Sequence, residues 1–380
     1  MNFDFSEDQK LLQQTARDYL AKNSPLSVCR EVLESDAPCS SDLWKGVAEQ
    51  GYLGTAVPEQ YGGAGFGHLE LAVIAEEVGR ALAPIPFSSS VYLATEALLR
   101  FGSDAQKDRY LPKLASGEWI GAFAFAERPG QNGPEGVQAR LAGGQLTGVK
   151  VPVPDGDVAH FAVVLARSDK GPSLALVDLE APGVTRKTLK SLDPSRSAAR
   201  IELSDAPAEL LGEEGAGERE ASHLLDRAAV LMAFEQVGGS ARAFEITREF
   251  TLGRYAFGRP IASFQAIKHR LADLWCEIEL ARSNSYYGAW ALSNEAPELP
   301  VAACLSRIAA CQAFDLAGVE MVQLHGGVGY TWEYDCHLFY RRAKLLSVAL
   351  GNPASWKDRL ITRLEAQAGR EESPSLAEAD

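Results

Sequence analysis

Along the first 120 residues, apolar positions recur with a helical period. Leu11, Leu12, Ala16 and Tyr19 fall on one helical face. Ser40 and Ser41, ahead of Leu43, Trp44 and Val47, predict a capped helix start. Leu69 to Leu82 is nearly continuous apolar helix, broken by Glu76, Glu77 and Arg80. Pro84 and Pro86 stop it, because proline clashes with the preceding turn. Further helices are predicted over 91–101 and 106–114. At Ile120 the period shortens: GAFAFA, TGVKV, AHFAVVLA, SLALVD and ARIEL alternate, with Gly143-Gly144 and Lys170-Gly171-Pro172 as turns. Short strands at this spacing predict an antiparallel sandwich or barrel ending near Leu211. From Gly212 a polar linker follows, and at Ala221 the helical period returns. Leu224, Leu225, Ala228, Leu231, Met232, Glu235, Gly238 and Ala243 trace one face to about Leu252. Phe264 to Ile278 and Val301 to Leu324 give two more long stripes, and a shorter helix ends near Leu364.

The expected fold is therefore α+β and mostly α: a helical domain over 1–120, a β domain over 121–211 and a helical bundle over 221–365. Residues 366–380 read as a frayed polar tail. Stripes this wide also imply burial of the bundle against another subunit.

Charge narrows the functional classes. The net charge is −14, from 37 basic and 51 acidic residues, which disfavours nucleic acid and anionic membranes as partners. No apolar run reaches the ~20 residues of a membrane span by this reading, and MNFDFSEDQK lacks the basic and apolar regions of a signal peptide. A cytoplasmic protein is expected. The cysteines, at 29, 39, 276, 304, 311 and 336, form no C-x-x-C pair or metal-type spacing, so reduced, buried thiols are expected and no metal site. The glycines at 62, 63, 65 and 67 lack the strand–helix context of a dinucleotide fingerprint and read as a loop.

Two segments carry more specific information, RYAFGRPIASFQ (254–265) and QLHGGVGYT (323–331). With GYLGTAVPEQYGGAGFGHLELAVIAEEVGRALAPIP (51–86) and YLPKLASGEWIGAFAFAE (110–127), they resemble the acyl-CoA dehydrogenases over almost the whole chain. The resemblance implies a C-terminal four-helix bundle that tetramerises. It also implies an FAD whose ring lies between the β domain and the C-terminal helices, while the neighbouring subunit holds the adenosine end. Carried over, the residues for that end are Arg254, Phe257, Gln265, Gln323, Gly326 and Gly327. An arginine can fork two N–H groups onto a pyrophosphate, and glycines let backbone N–H groups approach it.

The same resemblance marks departures. Where the family has a T-E-P-x-x-G-S-D loop, this chain has Ala126 to Gly133, without the threonine or the Ser-Asp pair. Its K-x-W-I-T strand is here Lys150-Val151-Pro152-Val153-Pro154, and proline supplies neither an N–H nor a hydroxyl. Two prolines also imply an edge or irregular strand. Proton abstraction beside a thioester needs a carboxylate base in a dry pocket. Aligning Arg341-Arg342-Ala343-Lys344 with the family's R-D-A-K puts Leu350 at that base. Counting 26 back from Arg254, as in isovaleryl-type members, gives Ala228. No residue is thus assigned as catalytic. Glu235, two turns after Ala228, is either paired inside the bundle or a substitute base. Glu127 reads as a surface or loop anchor, and Asp155 and Asp157 as turn residues.

The pattern resembles the small subunits of α2β2 acyl-CoA dehydrogenases of pimeloyl-CoA or steroid side-chain type. It implies a homologous catalytic partner, a shared FAD, an acyl-CoA substrate and an electron-transferring flavoprotein. Two alternatives stay open: a self-sufficient homo-oligomer using Glu235 or another base, and a non-enzymatic acyl-CoA-binding scaffold.

Overall fold

A computed structural model describes residues 5–371. The N-terminal helices are α1 (Glu7–Asn23), α2 (Leu26–Glu34), α3 (Ser41–Glu49), α4 (His68–Arg80), α5 (Glu96–Phe101) and α6 (Asp104–Ala115). Local chemistry sets their starts. Ser6 and Gln9 form a reciprocal capping box on α1, Ser103 and Gln106 one on α6, and Ser40 caps α3 through the Leu43 N–H. Between α4 and α5 the chain makes a buried π-helical turn, Ser88–Thr95.

The β domain contains β1 (Gly121–Ala124), β2 (Arg140–Ala142), β3 (Gln145–Pro154), β4 (Phe161–Ser168), β5 (Gly171–Asp178), β6 (Val184–Thr188) and β7 (Ala198–Leu211). Strands β4, β2, β3, β7 and β5 pair in a ring that closes through β4–β5, so the sheet is a barrel. Pairing is antiparallel except where β4 meets β1 and, at a single register pair, β2. Strand β3 is irregular, with a register shift between Lys150 and Val153 around Pro152, and the Val151–Pro152 bond is cis.

The C-terminal helices are α7 (Gly217–Gly253), α8 (Gln265–Ser293), α9 (Leu299–His325), α10 (Cys336–Val348) and α11 (Pro353–Glu371). A small hairpin of β8 (Tyr255–Ala256) and β9 (Arg259–Pro260) joins α7 to α8. The centre of the molecule is α7, whose middle is buried on all sides against α4, α8 and α9. A Cβ on Gly79 would overlap the Glu235 carbonyl, and one on Gly238 the Glu76 carbonyl, so α4 and α7 cross backbone to backbone.

Four expectations need correction. Helix α9 is long and apolar enough to cross a membrane, yet just over half of that stretch is buried inside the fold, against α7, α8, α10 and α11. The predicted short last helix is two, broken at 349–352. Helix α11 runs to Glu371, into the segment expected to fray, while 372–380 lie outside the described residues. Of the six free thiols, Cys276 is exposed and Cys39 half-buried; the other four are buried.

Candidate functional site

Two regions concentrate the residues singled out by sequence. The first is the junction of the β domain with the helices. Glu127 anchors its loop: its carboxylate accepts from Gln138 N, Ala139 N and Lys150 Nζ, each at 2.8 Å. Lys150 is fully buried, and burial lowers its pKa to about 8 although Glu127 pulls it back up. The backbone between the two departed motifs is also committed, since Val151 N donates to Ala126 O at 2.8 Å. Further along the loop, Asn132 Oδ1 accepts from Asn352 N at 3.0 Å and its carbonyl from Arg359 at 2.9 Å. A Cβ on Gly351 would press into the same Asn132 carbonyl. The loop that departs from the flavin motif is thus clasped to the turn carrying Leu350. Leu350 is 1% exposed, and its carbonyl accepts from the indole of the fully buried Trp356 at 3.0 Å. Ala228 is fully buried within α7.

Glu235 points into the same interior. It is fully buried, and Arg196 Nη1 lies 3.6 Å from its Oε1, an ion-pair distance too long for a hydrogen bond. Neither carboxylate oxygen makes a hydrogen bond of good geometry, although the buried Tyr92 hydroxyl lies close enough to act on it. Burial raises its pKa, and Arg196 and Arg342 oppose the rise. Arg196 also bonds Asp155 Oδ2 at 3.0 Å and Ser88 Oγ at 2.8 Å. Arg342 bonds Asp193 at 2.7 Å and Ser195 at 2.8 Å. Asp155 therefore does more than turn the chain: at φ 53° it aims a 1%-exposed carboxylate at Arg196 and Ser89. Asp157 stays at the turn, accepting from Ser197 and Thr188.

The second region is one end of the bundle. Phe250 of α7 stacks on His325 of α9 with centroids 4.1 Å apart, and Arg270 of α8 forks onto Glu320 of α9 at 2.6 and 2.7 Å. These contacts gather both predicted segments. Arg254 ends α7, exposed, and its guanidinium has no hydrogen bond or ion pair among the described residues. Phe257 sits at the hairpin tip with φ 52° and 95% exposure. Gln265 opens α8, exposed. Gln323 lies in the last turn of α9 and lines a cleft of about 450 Å³ with Val319, Gly329, Tyr330 and Tyr340. Gly326 (φ 65°) and Gly327 are exposed, and nothing lies within 4 Å of a Cβ built on either. A group placed here would meet open backbone, an unpaired guanidinium and exposed aromatic faces, a set suited to a nucleotide.

Comparison with known proteins identifies the family. The acyl-CoA dehydrogenase N-terminal domain matches residues 6–118 and its C-terminal domain residues 215–364. The chain belongs to the acyl-CoA dehydrogenase family. Acyl-CoA dehydrogenase IpdE2 of Mycobacterium tuberculosis is 31% identical over 95% of this chain and 97% of its own. The solved Tcur3481-Tcur3483 steroid acyl-CoA dehydrogenase is 31% identical, with a TM-score of 0.88 over 96% and 99% of the chains. The solved ChsE4-ChsE5 complex of Mycobacterium tuberculosis is 28% identical, with a TM-score of 0.86 over 99% and 100%. Another solved relative holds FAD.

Within an acyl-CoA dehydrogenase fold, the six nucleotide-end candidates lie together at the bundle end, although only Gln323 lines the cleft. The residues that sequence reasoning missed are Arg196, Asp193 and Ser195, which bring β-domain charge to α7 and α10. The signal for them is an Asp-Pro-Ser-Arg run between two strands, which carries no alternation of its own.

Proposed function

We propose that this chain is the non-catalytic subunit of a heteromeric, FAD-dependent acyl-CoA dehydrogenase. The observation that carries the reading is that both base positions, Leu350 and Ala228, hold buried side chains unable to accept a proton. The junction beside them does not fit a flavin ring of the chain's own. Its loop is satisfied internally by Lys150, Asn352 and Arg359, and Ala126 and Pro152 offer no side-chain donor.

The bundle end does fit the nucleotide half of a partner's FAD, with Arg254 for the pyrophosphate and Gly326, Gly327 and Gln323 along it. Bound FAD supplies a two-electron acceptor for α,β-desaturation. The catalytic partner would supply the base, and an electron-transferring flavoprotein would accept the electrons. The steroid enzyme among the relatives favours a bulky, ring-bearing acyl-CoA.

The test is the visible absorption of the chain purified alone and co-expressed with a homologous catalytic subunit. The expected results are a colourless, inactive chain and a yellow complex with about one FAD per unlike pair. A yellow, active homo-oligomer would refute the proposal.

One observation favours the self-sufficient alternative, namely that Glu235 is a fully buried carboxylate whose neighbours, Arg196 at 3.6 Å and the Tyr92 hydroxyl, make no hydrogen bond of good geometry to it. Glu235→Gln separates the readings. Loss of a base lowers turnover about 10²–10⁴-fold, whereas a buried counter-ion affects folding first.

A further inference from the structure

The turn Gly326–Tyr330 hangs between two anchors. On one side His325 is buried, stacked on Phe250 and bonded through Nδ1 to Met321 O at 2.7 Å. On the other, the chain is seized by α2, some 300 residues earlier in sequence. Arg30 Nη1 donates to Trp332 O at 2.8 Å, and Arg30 Nη2 to Asp335 Oδ1 at 2.7 Å. Trp332 Nε1 donates to Glu34 Oε1 at 2.6 Å, and the indole stacks on His337 with centroids 4.4 Å apart. Glu34 lies one turn after Arg30 and pairs with it at 3.3 Å.

Only residues 326–331 separate the two anchors. At about 3.3–3.6 Å per residue when extended, so short a span holds its glycines within a narrow range. Gly326 N–H donates to Gln323 O, and beyond that bond Gly326 and Gly327 face open space. The turn leans on α9 through Gly329, where an added Cβ would overlap Val322 O, and its two ends are fixed by the anchors above.

We propose that Arg30, seconded by Glu34, is a positioning residue: it holds the Gly326–Tyr330 turn in the place where a partner subunit's FAD meets it. This rests on the non-catalytic-subunit reading. It adds that the N-terminal domain, which carries none of the nucleotide-end candidates, governs how well they hold. A planar fork is required, because one guanidinium serves a carbonyl and a carboxylate at once, and a lysine ammonium does not reproduce that geometry.

The test uses the full chain, first alone and then co-purified with its catalytic partner. In Arg30→Met, and independently in Asp335→Asn, amide hydrogen exchange over 326–335 should accelerate about tenfold in the isolated chain. Peptides from α7 and the barrel should exchange as in wild type. In the complex, FAD release followed by flavin fluorescence should speed up about tenfold. Arg30→Lys should leave both defects in place. Unchanged local exchange, or faster exchange with unchanged FAD release, overturns the proposal. So does a uniform rise in exchange across the chain, which would mark Arg30 as merely structural. A wild-type complex without FAD would instead sink the subunit reading, and this inference with it.

Discussion

The β-domain junction and the bundle end are built from similar material and finished in opposite ways. At the junction the polar groups have been largely spent on one another: Glu127 on Lys150, Asn132 on Asn352 and Arg359, Arg342 on Asp193. At the bundle end an arginine, two glycines and several aromatic rings are left open to solvent. Burial gives the reason for the contrast. A charge taken out of water must find its partner within the chain, whereas an exposed one can wait for a partner from outside. Under the proposed subunit role, a closed junction and an open far end are what a chain serving its partner's site would need.

Perturbing the closed region should cost most. Arg342→Met strips the buried Asp193 of its ion pair and should lower unfolding free energy by about 3–5 kcal/mol, measured by urea denaturation. A smaller loss would mean that the junction tolerates unpaired charge and is less finished than the geometry implies.

Acid should sharpen the contrast next. Glu96 is fully buried; burial alone would raise its pKa, but His68 and Arg227 outweigh that and hold it at about 2. Arg227 Nε lies 2.5 Å from it and His68 Nε2 3.0 Å. A depressed carboxylate adds stability that is fully present above its unfolded pKa near 4.5 and is lost as pH falls towards 2. The loss should approach about 3 kcal/mol. The Glu96→Gln variant should show a flatter stability profile between those pH values.

Opening the other arm, Arg254→Ala should leave the isolated chain within about 0.5 kcal/mol of wild type, as expected of an exposed, unpaired side chain. In the partner complex it should weaken FAD retention about 10–100-fold, the worth of a charged hydrogen bond. The reverse outcome, an unstable chain with normal FAD retention, would collapse the distinction between the regions. Smallest of all, Phe257→Ser at the exposed hairpin tip should shift stability by less than about 0.5 kcal/mol in the isolated chain. Any effect should emerge only on assembly, read by sedimentation of the complex.

Much of this layout was legible beforehand. The α–β–α order follows from a period that shortens at Ile120 and lengthens again near Ala221, because strands and helices present alternate faces at different intervals. The capped start at Ser40 and the stop at Pro84 are local backbone chemistry, and the absence of a carboxylate at 228 and 350 is read directly. Other features escaped for equally physical reasons. Whether α9 lies in a core or a bilayer is not encoded in its hydropathy, since both environments select the same side chains. Asp155 reads as a turn residue because turn propensity is local, whereas its counter-charge, Arg196, comes from another turn of the barrel.

What the amino-acid order determined by itself is therefore the set of elements and the chemistry missing from them: helices and strands by periodicity, no proton acceptor at two positions by identity. The fold alone decided which charges are spent and which remain available. Pairings such as Arg30 with Asp335 join residues 305 apart, and an ionisable side chain's behaviour depends on the burial and partners that only the packed molecule brings together.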